Sequence, residues 1–295
     1  MKQKQTRRAG RFFESKAVLA LSLTFAVTLL CHAPGYGYKN WGKIDIFLPN
    51  DATNQEKYIA KLAAEGKANE ALELTSKAIA KDKRIAGLLL IRIKLYEALL
   101  QDDKINADFN KLVTLPLNAS ELYRAIDLAD CLEEVENGIK LGQRYLKEYG
   151  TKIPQPMIML SRAYIKQKEY DKAEKTLFLI LDNPGMRDFT YVDLTRLYVH
   201  WNKPEKLIAS SSTALKNPQW FTPKSLMILH NLRGHAFLET KKYKEALSDY
   251  NYLIAQAPSL PEVYKLRAQA YAGLGQNKLA EADRLKQKQL DLMEK

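Results

Sequence analysis

Residues 227–294 carry one pattern twice, 34 residues apart, and that period restricts the possible folds more than any single residue does. The first copy reads His230-x2-Arg233-Gly234-x2-Phe237, then Ala246-x3-Tyr250 and Pro258. The second reads Tyr264-x2-Arg267-Ala268-x2-Tyr271, then Ala280-x3-Arg284. Small side chains at Gly234 and Ala268, and at Ala246 and Ala280, let two helices cross closely, while Phe237 and Tyr271 fill the space beside them. Pro258 stops the second helix.

A period of this kind should extend upstream. After a five-residue insertion, Trp220 to Lys224, the frame continues through units starting near 188, 154, 120, 86 and 52. With the units near 227 and 261, about seven span 52–295, and no Gly/Ser-rich or Pro-rich linker divides them. Tyr198, Tyr164 and Tyr96 recur at the site of Phe237, Pro218, Pro184 and Pro116 near the helix-ending site, and Ala173 and Ala71 at the close crossing. Two units depart from the pattern. The unit near 120 has Asp130 where an aromatic is expected and Ile139 in place of the small residue, and the unit near 52 offers Leu62 for the aromatic.

The shared phase of these residues resembles the tetratricopeptide repeat, a helix-turn-helix unit of the same period. The resemblance implies an all-α, right-handed solenoid whose units bury their apolar faces on one another and leave a concave surface for a partner. It also implies that the first helix of each unit lines that surface. One row then contains Ala60, Lys94, Leu128, Arg162, Arg196, His235 and Gln269, with Arg124, Lys166, Asn231 and Lys265 beside it. The implied partner-binding set is Lys94, Arg124, Arg162, Lys166, Arg196, Asn231 and His235. Arg162 and Arg196 are expected to fork onto carboxylates of an acidic, partly apolar protein or peptide segment. His230 is expected to replace a packing aromatic, and His235 to face outward. At the end of the array Arg284 and Gln287 stand where Tyr250 and Leu253 stand one unit earlier, as a cap meeting water requires.

Residues 17–31 form the one long apolar run and follow six basic residues and a single acid, Glu14. Such a run falls short of the roughly 20 residues of a spanning helix, so 1–37 reads as a secretory signal, with cleavage after Gly37. An uncleaved N-terminal anchor is the alternative. Residues 38–51 hold Trp41, Ile44, Ile46, Phe47 and Leu48, too apolar for a plain linker. This lead-in segment either covers the open end of the first unit or folds back into the groove. Cleavage would leave Cys131 as the sole cysteine, so stability must come from helix packing rather than a disulfide.

Of the formal charge of +12, the leader supplies nearly half, which leaves a moderate basic bias. That bias favours acidic partners and is too small for a nucleic-acid specialist. Catalysis needs a constellation that the sequence lacks. The histidines, His32, His200, His230 and His235, form no H-E-x-x-H pair, no cysteines are spaced for zinc, and no nucleophile elbow or phosphate loop occurs. Gly273-Leu274-Gly275 reads as a turn between helices. The expectation is therefore an exported, non-catalytic scaffold for protein partners with no cofactor and no metal. Contact with a membrane follows only if the leader stays uncleaved, the case of a tethered envelope assembly factor.

Overall fold

The computed structural model describes residues 44, 46, 48–82 and 84–293. The leader, residues 1–37, lies outside the described residues, as do Trp41 and Phe47. The described residues contain 14 α-helices and no strand, and fall into two compact units, Gly37–Ile180 and Leu181–Lys295. None of these helices is long and apolar enough to cross a membrane.

The first unit holds four helix pairs: α1 (Asn54–Ala64) with α2 (Ala68–Lys81), α3 (Ala86–Ala98) with α4 (Asp102–Thr114), α5 (Ala119–Cys131) with α6 (Val135–Tyr149), and α7 (Gln155–Lys166) with α8 (Tyr170–Phe178). The second holds three: α9 (Arg187–His200) with α10 (Pro204–Ala214), α11 (Pro223–Glu239) with α12 (Tyr243–Gln256), and α13 (Pro261–Gly273) with α14 (Asn277–Met293). Within each unit the two helices of a pair pack together, and first helices of successive pairs touch.

The helix starts follow from local chemistry. Thr53 and Glu56 close a capping box on α1, with Thr53 N–H donating to Glu56 Oε2 at 2.7 Å and Glu56 N–H to Thr53 Oγ1 at 3.1 Å. Asn118 and Glu121 do the same for α5. Pro204, Pro223 and Pro261 occupy the first helical position, where no backbone N–H is missed. The insertion before α11 is built around a single 3₁₀ turn, Pro218–Trp220.

Every pair turns at one residue in the left-handed region: Gly66, Leu100, Glu133, Lys168, Asn202, Lys241 and Gly275, with φ between 56° and 82°. These residues mark the repeat register independently of side-chain similarity. Glu133 sits one residue short of the 34-residue step from Leu100, so the frame slips by one in the pair α5–α6. The position five residues after the turn, where Ala71, Ala173, Ala246 and Ala280 are fully buried, is Gly138 there rather than Ile139. A Cβ on Gly138 would meet the Cβ atoms of Ala129 and Ala163 at 3.6 and 3.9 Å, so this glycine supplies the close crossing that Ile139 could not.

The open side of the first pair is covered from within the chain. Ile44, Ile46 and Leu48 pack against the cluster of Ile59, Leu62, Ala71, Leu88 and Leu95, and Ile44 N–H donates to the Ala63 carbonyl at 3.3 Å. Ile44, Ile46 and Leu48 thus pack against a core shared by the first two pairs. In the second unit the core gathers Phe237, Ala246, Tyr250, Leu253, Val263, Leu266 and Ala270.

Three arginines pin pairs to one another. Arg92 donates from Nε and Nη2 to Asp108 at 2.7 and 2.6 Å, and Arg267 in the same way to Asp283 at 2.8 Å for both, each over 16 residues. Arg233 repeats the arrangement with Asp249. The third nitrogen of each, Nη1, reaches back to the second helix of the preceding pair: to Ser76 Oγ at 3.4 Å, Ser212 Oγ at 3.2 Å and Asn251 Oδ1 at 2.7 Å. A planar fork with five donors suits this three-helix reach, and lysine could not reproduce it.

Candidate interaction surface

The row expected to meet a partner lies six residues before each left-handed turn residue. It comprises Ala60, Lys94, Arg162, Arg196, His235 and Gln269, but in α5 the slip replaces the buried Leu128 with Asp127. An acid thus interrupts the basic run of the first unit. The aromatic site four residues before the turn is likewise Ala129, and Asp130 is released to the row's edge.

Most of the basic residues already face a carboxylate of the same chain. In the first unit Lys94 Nζ lies 3.0 Å from Glu97, Arg162 Nη1 lies 3.6 Å from Asp130, and Lys166 Nζ lies 3.3 Å from Glu133. The latter two pairs join α7 to α5 and the turn that follows it. The side chains of Lys94, Arg162 and Lys166 remain 32, 37 and 38 % exposed, so all three are offered to solvent. Arg124, half-buried on α5, is held below the usual guanidinium range by desolvation, against the opposing pull of Glu56, Glu121 and Asp51.

In the second unit Arg196 Nη1 lies 3.1 Å from Asp193, which is buried. Asn231 is buried, with 8 % of its surface exposed. His235 does not face outward as the sequence suggests. It is half-buried, its ring edge-on to Tyr250 with centroids 6.3 Å apart. Desolvation, with Lys265 adding, lowers its pKa to about 4, so the imidazole is neutral at pH 7. His230 packs as an aromatic, stacked on Tyr252 at 3.9 Å, and its Nδ1 lies 2.7 Å from Asp249 Oδ1.

The geometry brings Arg162, Lys166, Asp130 and Glu133 together, and leaves Lys94 with its own local partner Glu97. An incoming carboxylate must therefore displace Asp130 or Glu133 rather than meet a bare cation, which lowers the net gain and sharpens the requirement for geometry. Sequence reasoning identified Arg233 and Arg267 as pattern residues and missed their aspartates. The recurring signal was an Arg followed by Asp 16 residues later. No group of His, Cys, Asp and Glu side chains able to hold a metal occurs among the described residues.

No family model and no curated protein sequence matches the chain. Among solved structures, a tetratricopeptide repeat protein from Parabacteroides merdae is similar with a TM-score of 0.51 at 14 % identity, over 81 % of this chain and 94 % of that one. The Cut9–Hcn1 hetero-tetramer of the APC/C gives 0.45 at 15 % identity, over 92 % of this chain and 52 % of that one. BtubC from P. vanneervenii gives 0.33 at 11 %, over 82 % and 92 %. At such identities likeness speaks to architecture alone, and with the helix pairs, the left-handed turns and the close crossings it gives one conclusion: the chain has the fold of a tetratricopeptide-repeat protein.

Proposed function

We propose that this chain is an exported, non-catalytic scaffold that binds a protein or peptide partner through the row of first helices. Lys94, Arg124, Arg162 and Lys166 carry the contact in the first unit, and Arg196, Asn231 and His235 in the second. The observation that carries the reading is the partial exposure of Arg162 and Lys166 while one bridges to the neighbouring first helix and the other to the turn that follows it. They are held in place but can exchange Asp130 and Glu133 for a ligand's carboxylates, so the site is largely preorganised. The ligand is an acidic segment with apolar side chains between its acids. Export is the proposed route because the basic leader and short apolar run precede the array.

The test is quantitative crosslinking in cells that express the native chain, an Arg162→Glu/Lys166→Glu variant, or an Arg196→Glu variant. A partner lost from either variant, with helicity unchanged by circular dichroism, supports the reading and assigns the partner to one unit. Identical partner sets in all three overturn the row. N-terminal sequencing separates an exported chain starting at Tyr38 from a tethered one that keeps its leader.

A further inference from the structure

The slip at Glu133 changes what α5 presents to the binding row. The row residue stands six positions before each left-handed turn, and a second groove residue stands one helical turn earlier. In α7 these are Arg162 and Ile158, but in α5 they are Asp127 and Tyr123, both half-buried rather than closed off. The two act on one another: burial first, and then the Asp127 carboxylate, hold the Tyr123 phenol above its usual range. A carboxylate beside a phenol ring is the chemistry that receives a cation, which the negative charge and the ring face attract together. The chain uses the ring chemistry on itself. In the same unit Lys104 lies 5.6 Å and Arg92 5.7 Å from the ring centre of Tyr96, and Lys172 lies 5.6 Å from that of Tyr164. Among the described residues no cation of the chain stands over Tyr123 in this way. On either side, Lys94 and Arg162 stand on first helices that touch α5.

We propose that Tyr123 and Asp127 form a seat for a basic side chain of the protein partner, set between the places where Lys94 and Arg162 take its acids. This deepens the scaffold reading above and rests on it. Asp127 has interactions of its own within the chain, as the cations of the row do, so the arriving base exchanges for them. The row then selects the order acid, base, acid. An unbroken acidic segment would set a carboxylate against Asp127, and like-charge contact of that kind is what rejects a wrong partner. Packed helix axes lie about 8–10 Å apart and an extended chain rises about 3.3 Å per residue, so in an extended partner the three charges fall about three residues apart.

The probes are two capped peptides, Glu-Ser-Ser-Arg-Ser-Ser-Glu and the same peptide with Glu at its centre, titrated into the full chain with tyrosine rings labelled for NMR. The first should bind the native chain about tenfold more tightly than the second and shift the Tyr123 ring. Asp127→Lys should reverse the order of the two peptides. Asp127→Asn, which keeps the side-chain shape and carries the test should the lysine variant not fold, should cut the preference to about twofold. Tyr123→Phe should keep the preference, and Tyr123→Leu should weaken binding of the arginine peptide alone. Equal binding of the two peptides by the native chain, or a preference that Asp127→Asn leaves unchanged, overturns the seat and leaves the acid-taking cations standing. Binding of neither peptide overturns the seat and the cationic row together.

Discussion

Asp249 is fully buried and gives both carboxylate oxygens to Arg233, whose Nε–H donates at 3.0 Å and Nη2–H at 2.7 Å. His230 Nδ1 stands 2.7 Å from the same carboxylate. Removing the guanidinium leaves a buried charge with one partner in place of two. Arg233→Met should destabilise the protein by about 3 kcal/mol, because breaking a buried pair costs more than replacing it whole. Arg233→Met with Asp249→Leu should recover most of that loss. Urea denaturation of the two variants checks it, and equal stabilities would contradict it.

His235 links stability to pH. Its folded pKa of about 4 lies below the ordinary value of 6.5, so the unfolded chain takes up this proton first. Its contribution is therefore fully present above pH 6.5 and is lost as pH falls toward 4. At pH 5 the loss is about 2 kcal/mol relative to pH 7. His200, also lowered by desolvation and by Arg196, pulls in the same direction, so the informative quantity is the difference from a variant. His235→Leu should show a correspondingly shallower fall in urea midpoint between pH 7 and pH 5.

Leu100 adopts φ 56° with 71 % of its surface exposed. A β-carbon strains this conformation and little packing depends on the side chain. Leu100→Gly should therefore stabilise by about 0.5–1 kcal/mol, the relief of left-handed strain outweighing glycine's greater freedom in the unfolded chain. Gly275→Ala, at φ 74°, should destabilise by about 1 kcal/mol. Thermal melts of both variants read the sign directly.

Gly234 lies against the ring of Tyr250, where an added Cβ would stand 3.0 Å from the nearest ring carbon and 3.3 Å from the Asp249 Cβ. Both neighbours are fully buried and cannot swing away. Gly234→Ala is expected to cost about 1–3 kcal/mol in calorimetry, as overpacking of a filled core does.

Close crossings such as Gly234 and Ala246 were legible in the sequence because helix contact demands small side chains at fixed spacing. The slip at Glu133 was not, because Leu128, Ala129 and Asp130 offer an apolar, a small and a polar residue in succession. Only the backbone turn decides which of the three faces inward. The arginine forks were half-visible: Arg233 and Arg267 recur, but their aspartates sit on another helix, and a pairing over 16 residues needs the turn geometry to become a contact. The charged row was found by residue type, while its internal partners Asp130 and Glu133 were not, since a sequence shows no distances across neighbouring helices. The Tyr243 ring, which packs directly on Gly273, left no signal beyond an aromatic and a glycine 30 residues apart.

The most direct test of the binding row is photocrosslinking in cells, with a benzophenone amino acid placed at Ala60 or Gln269, row positions on first helices that leave the contact cations in place, or at Lys77, Glu174 or Lys244 on second helices. A partner bound by the row gives adducts from the first set and none from the second. Adducts only from Lys77, Glu174 or Lys244 would contradict the row and move the partner to the opposite helices.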